Sequence, residues 1–428
     1  MNLDGWDTCS IVSVDLVNQA LARAGDRTIR TFSYTEDDLE ISGSFGAWAL
    51  APGGSLRLVS VKMPIASGVI RARGEGETDI SGIVLTAQMK LGLIGGDTPD
   101  TRNLAFDTSL GEGEGGAEPI KIVEIDDPSG RLARFDLDMV KEALTACLSK
   151  HAADASFVFA SVDARSTAQA AGLACPGNDW GFVDPGDGRH YLAILGSLDA
   201  KRPDGPIRIG PELITPAAPA YFAVSQRLFI LRALLPILQS SFRPRTSFAI
   251  KGDAVVSTKA IGLGHKKVAL FEVAPVLRQV SIKPVKGALA VHAAAHADLP
   301  LSTRLDLTVD MKLPFHHDPK TGSMSFKPGK PVVRHKLNKS GIIGNTLGLI
   351  IELIVALARD PILKSVAQIA NGMQAVNNPT TKPVVWNGVR DFHAAQARWD
   401  NGLWLADTRA VEPPAPAPAD REKTNEPA

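Results

Sequence analysis

Histidines and carboxylates are the first side chains in this sequence that could do chemistry. His292, His296 and Asp298 share one face of an alternating run, and His316, His317 and Asp318 are consecutive. On an extended strand the imidazoles of His292 and His296 stand ~13 Å apart, at ~3.3 Å per residue, too far to share one ion. The second set falls in a turn before Pro319, where adjacent histidines face opposite ways. Neither spacing predicts a metal centre. Gly111–Gly116 is glycine-rich but opens no helix and lacks the Lys-Ser/Thr of a phosphate cradle, so it reads as a solvated loop. No Gly-x-Ser-x-Gly elbow or His-Glu-x-x-His motif occurs, and Cys9, Cys147 and Cys175 lack redox or metal spacing. No catalytic residue, metal or cofactor is assigned, and no enzymatic activity is expected.

The basic side chains carry more information. Residues 319–351 hold no Asp or Glu but contain Lys320, Lys327, Lys330, Arg334, Lys336 and Lys339, with His335 among them. Such a run suits an anionic headgroup or an acidic protein face. Spacing alone does not show that these charges converge, and a solvated hairpin whose charges keep an edge soluble is the commoner use of such a run.

Apolar residues at helical spacing supply the other clue: Leu16, Val17 and Leu21; Leu228, Leu231 and Leu235; Leu349 and Leu353. Lining a cavity, they would bury lipid chains at ~0.8 kcal/mol per methylene. Packed against one another, they would form a dry core.

These side chains must be held by a frame. Helical periodicity predicts helices over Ser10–Ala22, Phe135–Lys150, Pro219–Leu238 and Ile342–Ala358. The last two are apolar, but Gln226, Arg227, Arg232 and Pro236 interrupt one, and the other is shorter than the ~20 residues of a membrane span. Between the helices the period becomes two. Leu289–Leu299, Arg304–Phe315 and Ile83–Leu93 alternate apolar and polar residues, the mark of long antiparallel strands with one dry face. The expected class is therefore α+β, long helices against one-sided antiparallel sheet.

The 428 residues carry 46 basic and 46 acidic side chains, a balance that argues against nucleic-acid binding. The balance conceals polarity: residues 1–214 hold 31 acids and 19 bases, the remainder 15 and 27. Three dispersed cysteines exclude a disulfide framework. The acidic opening residues do not read as a secretory signal, so the expected location is cytoplasmic at synthesis, with any release by a signal-independent route. A Pro/Gly-rich break over 199–220, near the charge changeover, divides the chain into an acidic domain, 1–205, and a basic one, 206–410. Residues 411–428 form a Pro/Ala-rich tail expected to be disordered. No fixed-period repeat is present.

Several blocks, taken in order, resemble a known family. Gly5-Trp6-Asp7-Thr8 opens onto the first helix with its Val17-Asn18 pair; Phe45-Gly46-Ala47-Trp48, Pro52-Gly53-Gly54 and Met63-Pro64-Ile65 follow. Trp180 then precedes Tyr191–Ser197, and Tyr221-Phe222-Ala223 begins the long helix. This order resembles the 47-kilodalton accessory proteins encoded beside clostridial botulinum-type toxin genes, relatives of the OrfX proteins in the tubular lipid-binding (TULIP) superfamily. The resemblance covers most of the chain except the tail. It implies two elongated domains, each a long helix wrapped by a strongly curved antiparallel sheet, and no catalytic residues. Trp6, Trp48 and Trp180 read as packing residues. The function expected is non-enzymatic binding of a lipid or other amphiphile, with an anionic membrane surface and a toxin or accessory protein as partners. The alternative is an interaction scaffold with a fully packed interior and no lipid ligand.

Overall fold

The computed structural model describes residues 3–36, 39–55, 57–72, 76–109, 119–163, 173–199, 209–215, 217–242, 248–268, 271–299, 302–338, 345–374, 383–389 and 392–407. The Gly111–Gly116 loop, Lys339 and the tail lie outside them.

Antiparallel sheet dominates, with few helices. At the centre is a six-stranded sheet, ordered Gly177–Val183, Tyr191–Ser197, Thr8–Ser13, Ala220–Ser225, Gly402–Asp407, Gln396–Trp399. The order is palindromic. The inner pair leads into a helix on each side, and the outer strands return from later in the chain. Sequence periodicity missed this repetition because it lies in the topology, not in the residues.

The sheet has three clients. Val12, Trp180, Leu192 and Ile194 join the first core, while Phe222, Val224, Leu403 and Leu405 join the second. On the opposite face Ile11, Tyr191, Tyr221 and Trp404 pack with Leu3, Trp6, Leu213 and Ile214. Trp6, Trp48 and Trp180 are all buried, as packing residues should be.

Each half adds a larger sheet. In the first, the 15-residue strand Leu58–Ala72 is flanked over its first half by Ala49–Ser55 and Val84–Gly95, and over its second by Leu39–Phe45 and Glu77–Asp79. Changing partners along one strand is how a twisted sheet rolls around a core. In the second, Val276–Val285, Ala288–Leu299 and Thr303–Asp318 lie side by side. Leu289, Val291, Ala293, Ala295, Ala297 and Leu299 face inward, following the alternation in the sequence. The short segment Val384–Trp386 crosses back to close the edge of the first sheet against Val158–Asp163.

Four longer helical segments are described: α1 (Val14–Ala22), α2 (Arg134–Lys150), α3 (226–241) and α4 (Asn345–Gln374). Two begin later than periodicity predicts. Ser10–Ser13 and Ala220–Ser225 are strands because each is hydrogen-bonded on both edges within the central sheet. Tyr221-Phe222-Ala223 is therefore sheet, not the start of a helix. In both places a serine ends the strand and caps the helix: Leu16 N–H donates to Ser13 Oγ and Leu228 N–H to Ser225 Oγ. Pro236 has no N–H and its ring crowds the carbonyl four residues back. Just before it, Ile230–Leu234 widens into a π-helical turn.

Helix α4 runs much farther than the predicted end at Ala358, through Pro361. Its buried residues Ile350, Ile354, Ala358, Ile362 and Val366 recur every fourth position, so burial of this stripe continues on both sides of the proline. At 30 residues it is about 45 Å long.

Candidate functional site

The basic run gathers acids in space that it lacks in sequence. Val332–Leu337 pairs with Thr303–Asp318, setting Lys336 opposite Asp306 and placing Arg334 beside Asp310. Arg334 Nη1 donates to Asp310 Oδ2 at 3.1 Å, while His292 Nδ1 lies 2.7 Å from Asp310 Oδ1. Arg278 Nε donates to His296 Nδ1 at 3.2 Å, and both Arg278 and Arg304 contact Asp306. Desolvation, then Arg304 and Arg278, hold the His296 pKa below its ordinary value. The outer face of the second sheet is thus a charge ladder with both signs, and Arg334 is neutralised within it.

Lys320, Lys327 and Lys330 stand apart from that ladder. Lys320 is exposed in the tight turn after Asp318, and Lys327 and Lys330 are exposed where the chain runs back beside Lys312 and Pro314. His316 and His317 belong to the strand Thr303–Asp318 rather than to a turn. His316 is exposed, whereas His317 Nε2 lies 2.8 Å from the Ala394 carbonyl oxygen. Among the described residues no three His, Cys, Asp or Glu side chains cluster to hold a metal ion.

The apolar candidates divide by burial. Leu16, Val17, Leu21 and Leu228 are buried; Leu231, Leu235 and Leu353 are half-buried. Leu349 is 51% exposed, one residue out of step with the buried stripe of α4, and so is not an interior side chain. Leu231 is different in kind, because it borders open space. Between α3 and the hairpin formed by Phe248–Lys251 and Ala254–Ser257 lies a groove of about 490 Å³. Ile230, Leu231 and Ile250 give it an apolar wall, and Gln226, Arg227 and Asp253 add polar groups. The π-helical turn before Pro236 contains both Ile230 and Leu231.

Arg227 is held in place from behind. Its Nη2 donates to Asp199 at 2.8 Å and its Nη1 lies 3.5 Å from the buried Asp7 carboxylate. Asp253 is paired with Lys283 at 2.8 Å. An apolar wall between fixed ion pairs can take a hydrocarbon chain with a polar end.

Sequence reading missed Arg227, Ile230, Ile250 and Asp253 as groove residues. One signal was available: Gly252-Asp253 is a two-residue hairpin loop, with Gly252 at φ +63°, between Phe248–Lys251 and Ala254–Ser257. Nothing in the sequence shows that this hairpin lies against α3.

Comparison with known proteins places the chain. The family model OrfX-like, described as Protein OrfX2/OrfX3/P47, matches residues 3–375, and the chain belongs to this family. Protein P47 of Clostridium botulinum (strain Kyoto / Type A2) is 28% identical over 169 residues, 39% of this chain and 39% of that relative. The structure of P47 from Clostridium botulinum A2 superposes with a TM-score of 0.74 at 20% identity, covering 96% of this chain and 98% of that one. P47 of Clostridium botulinum E1 gives 0.72 at 19% identity, covering 94% and 99%. These structures share the fold.

Proposed function

We propose that this OrfX-like family member binds an amphiphile without catalysing a reaction, through the groove between α3 and the 248–257 hairpin. The observation that carries the reading is an apolar wall of Ile230, Leu231 and Ile250 left open beside polar Gln226, Arg227 and Asp253. Its volume of about 490 Å³ falls within the ~300–1,000 Å³ range of small-molecule sites. The two halves are read as two tubular lipid-binding units, an acidic one over 1–205 and a basic one over 206–410, joined through the central sheet. Contact with an anionic surface would fall to Lys320, Lys327 and Lys330, since Arg334 is spent on Asp310. Service to a toxin or secreted complex is the role suggested by the family's likeness.

The test is displacement of a fluorescent fatty-acid probe from the full chain after lipid removal. Saturable binding is expected, lost in the Leu231→Glu/Ile250→Asp double variant while the circular dichroism spectrum is kept. Equal probe binding by variant and parent would refute the groove. The scaffold reading has one supporting observation, the dense apolar packing of both cores, and predicts no probe binding at all.

A further inference from the structure

The groove beside α3 has two charged lining residues, and they differ in what each has left to offer a ligand. Arg227 is answered twice: Nη2 donates to Asp199 at 2.8 Å, and Nη1 lies 3.5 Å from the buried Asp7 carboxylate. The positive end of α3 meets Asp7 as well, through the Ser225 hydroxyl that caps it. A ligand carboxylate placed against this guanidinium would therefore face two acids close behind it.

Asp253, in the hairpin loop, is answered once. Lys283 Nζ lies 2.8 Å from its Oδ2, with the two side chains 48% and 55% exposed. An ion pair so open to water holds its partners weakly. Among the described residues, Asp253 Oδ1 accepts no side-chain hydrogen bond. A hydrogen bond from Lys283 holds the Asp253 carboxyl below its ordinary pKa, so the group is ionised at neutral pH. No other base lines the groove among the described residues. Lys251 follows Ile250 on the strand and so projects from the opposite face, while the field of Arg232 falls on Cys175.

We propose that the groove selects amphiphiles whose polar end is an ammonium group. The chain lies against Ile230, Leu231 and Ile250, and the ammonium N–H groups are shared between Asp253 Oδ1 and the Gln226 amide oxygen. This assignment rests on the groove being an amphiphile site, as read above. Lys283 and the ligand compete for one carboxylate, so the lysine sets how strongly the headgroup is held.

The experiment uses the full chain, the fluorescent fatty-acid probe, and three competitors of one chain length below their micellar concentrations at pH 7: dodecylamine, dodecanol and dodecanoate. Dodecanol reads the apolar wall alone. Dodecylamine should displace the probe about fivefold better than dodecanol, the worth of one part-exposed ion pair, and dodecanoate should displace it less well than dodecanol. The amine-to-alcohol ratio should fall to about one in Asp253→Asn and rise in Lys283→Ala, where the competing cation is gone. A parent ratio near one, a ratio that survives Asp253→Asn, or dodecanoate ahead of the amine would overturn the headgroup assignment and leave the groove standing. Failure of dodecanol itself to displace the probe would instead overturn the groove reading, and this one with it.

Discussion

The Asp7 carboxylate accepts a hydrogen bond from the Ser225 hydroxyl at 3.0 Å, across 218 residues of chain. Its other oxygen accepts the Leu198 N–H at 2.9 Å, and Arg227 stands 3.5 Å away. One buried acid from the opening Gly-Trp-Asp-Thr block therefore ties the start of both halves together and fixes the cap of α3, one bank of the amphiphile groove. Asp7→Ala strands two donors that now meet a charged acceptor, each worth about 1.5 kcal/mol or more. A loss near 3 kcal/mol is expected in the unfolding free energy obtained from urea denaturation, seen as a lower midpoint at unchanged slope. Arg227→Ala, at an exposed side chain, should cost under about 1 kcal/mol.

Thiol chemistry gives an independent check on burial. Desolvation pushes the Cys9 and Cys175 thiols up to about 12, and burial also raises Cys147. At pH 8 the thiolate is then scarce and covered. Dithiobis(nitrobenzoic acid) should label no cysteine in the folded chain and all three in urea. Rapid labelling of Cys9 in the native protein would contradict its place in the central sheet.

Acid stability follows from two carboxylates, Asp79 at the end of the strand Glu77–Asp79 and Asp127 in a turn. Hydrogen bonds from Ser81, then Arg131, hold the Asp79 pKa at about 2; bonds from Ser129 and the Leu132 N–H do the same for Asp127. Unfolded carboxylates titrate near ~3.9, so these groups stabilise the fold fully above that value and lose their contribution as pH falls through about 2. The thermal midpoint should therefore drop between pH 4 and pH 2, less steeply in Asp79→Asn/Asp127→Asn. Equal slopes for parent and variant would show that other groups govern acid unfolding.

Liposome binding separates the basic residues by their neighbours. Reversing Lys320, Lys327 and Lys330 to Glu should remove the preference for anionic over neutral vesicles, at about 1 kcal/mol per charge near the surface. Lys336→Glu alone should change little, because Lys336 stands opposite Asp306 in a face of both signs. Salt should weaken the parent's binding and leave the triple variant's residual unaffected.

Much of this frame is written in local pattern. Alternation over Leu289–Leu299 and Arg304–Phe315 marks strands found at Ala288–Leu299 and Thr303–Asp318, because a one-sided sheet face imposes period two directly. The helix expected from Phe135 begins at Arg134. What escaped depended on partners distant in sequence. Ala220–Ser225 is as apolar as a helix face, and only its pairing with Thr8–Ser13 and Gly402–Asp407 makes it a strand. The basic run was equally opaque, since Asp306 and Asp310 reach it across the sheet rather than along the chain. The groove was the least legible feature. Its apolar wall joins Leu231 to Ile250, residues whose spacing carries no period at all.

Native mass spectrometry of freshly purified full chain tests the central claim most directly. Amphiphile binding at the α3 groove predicts a population heavier than the bare polypeptide by the mass of one lipid-like molecule, released on collisional activation and absent from Leu231→Glu/Ile250→Asp. A single bare-mass species for the parent, unchanged after incubation with excess fatty acid, would contradict it and leave the packed scaffold as the reading.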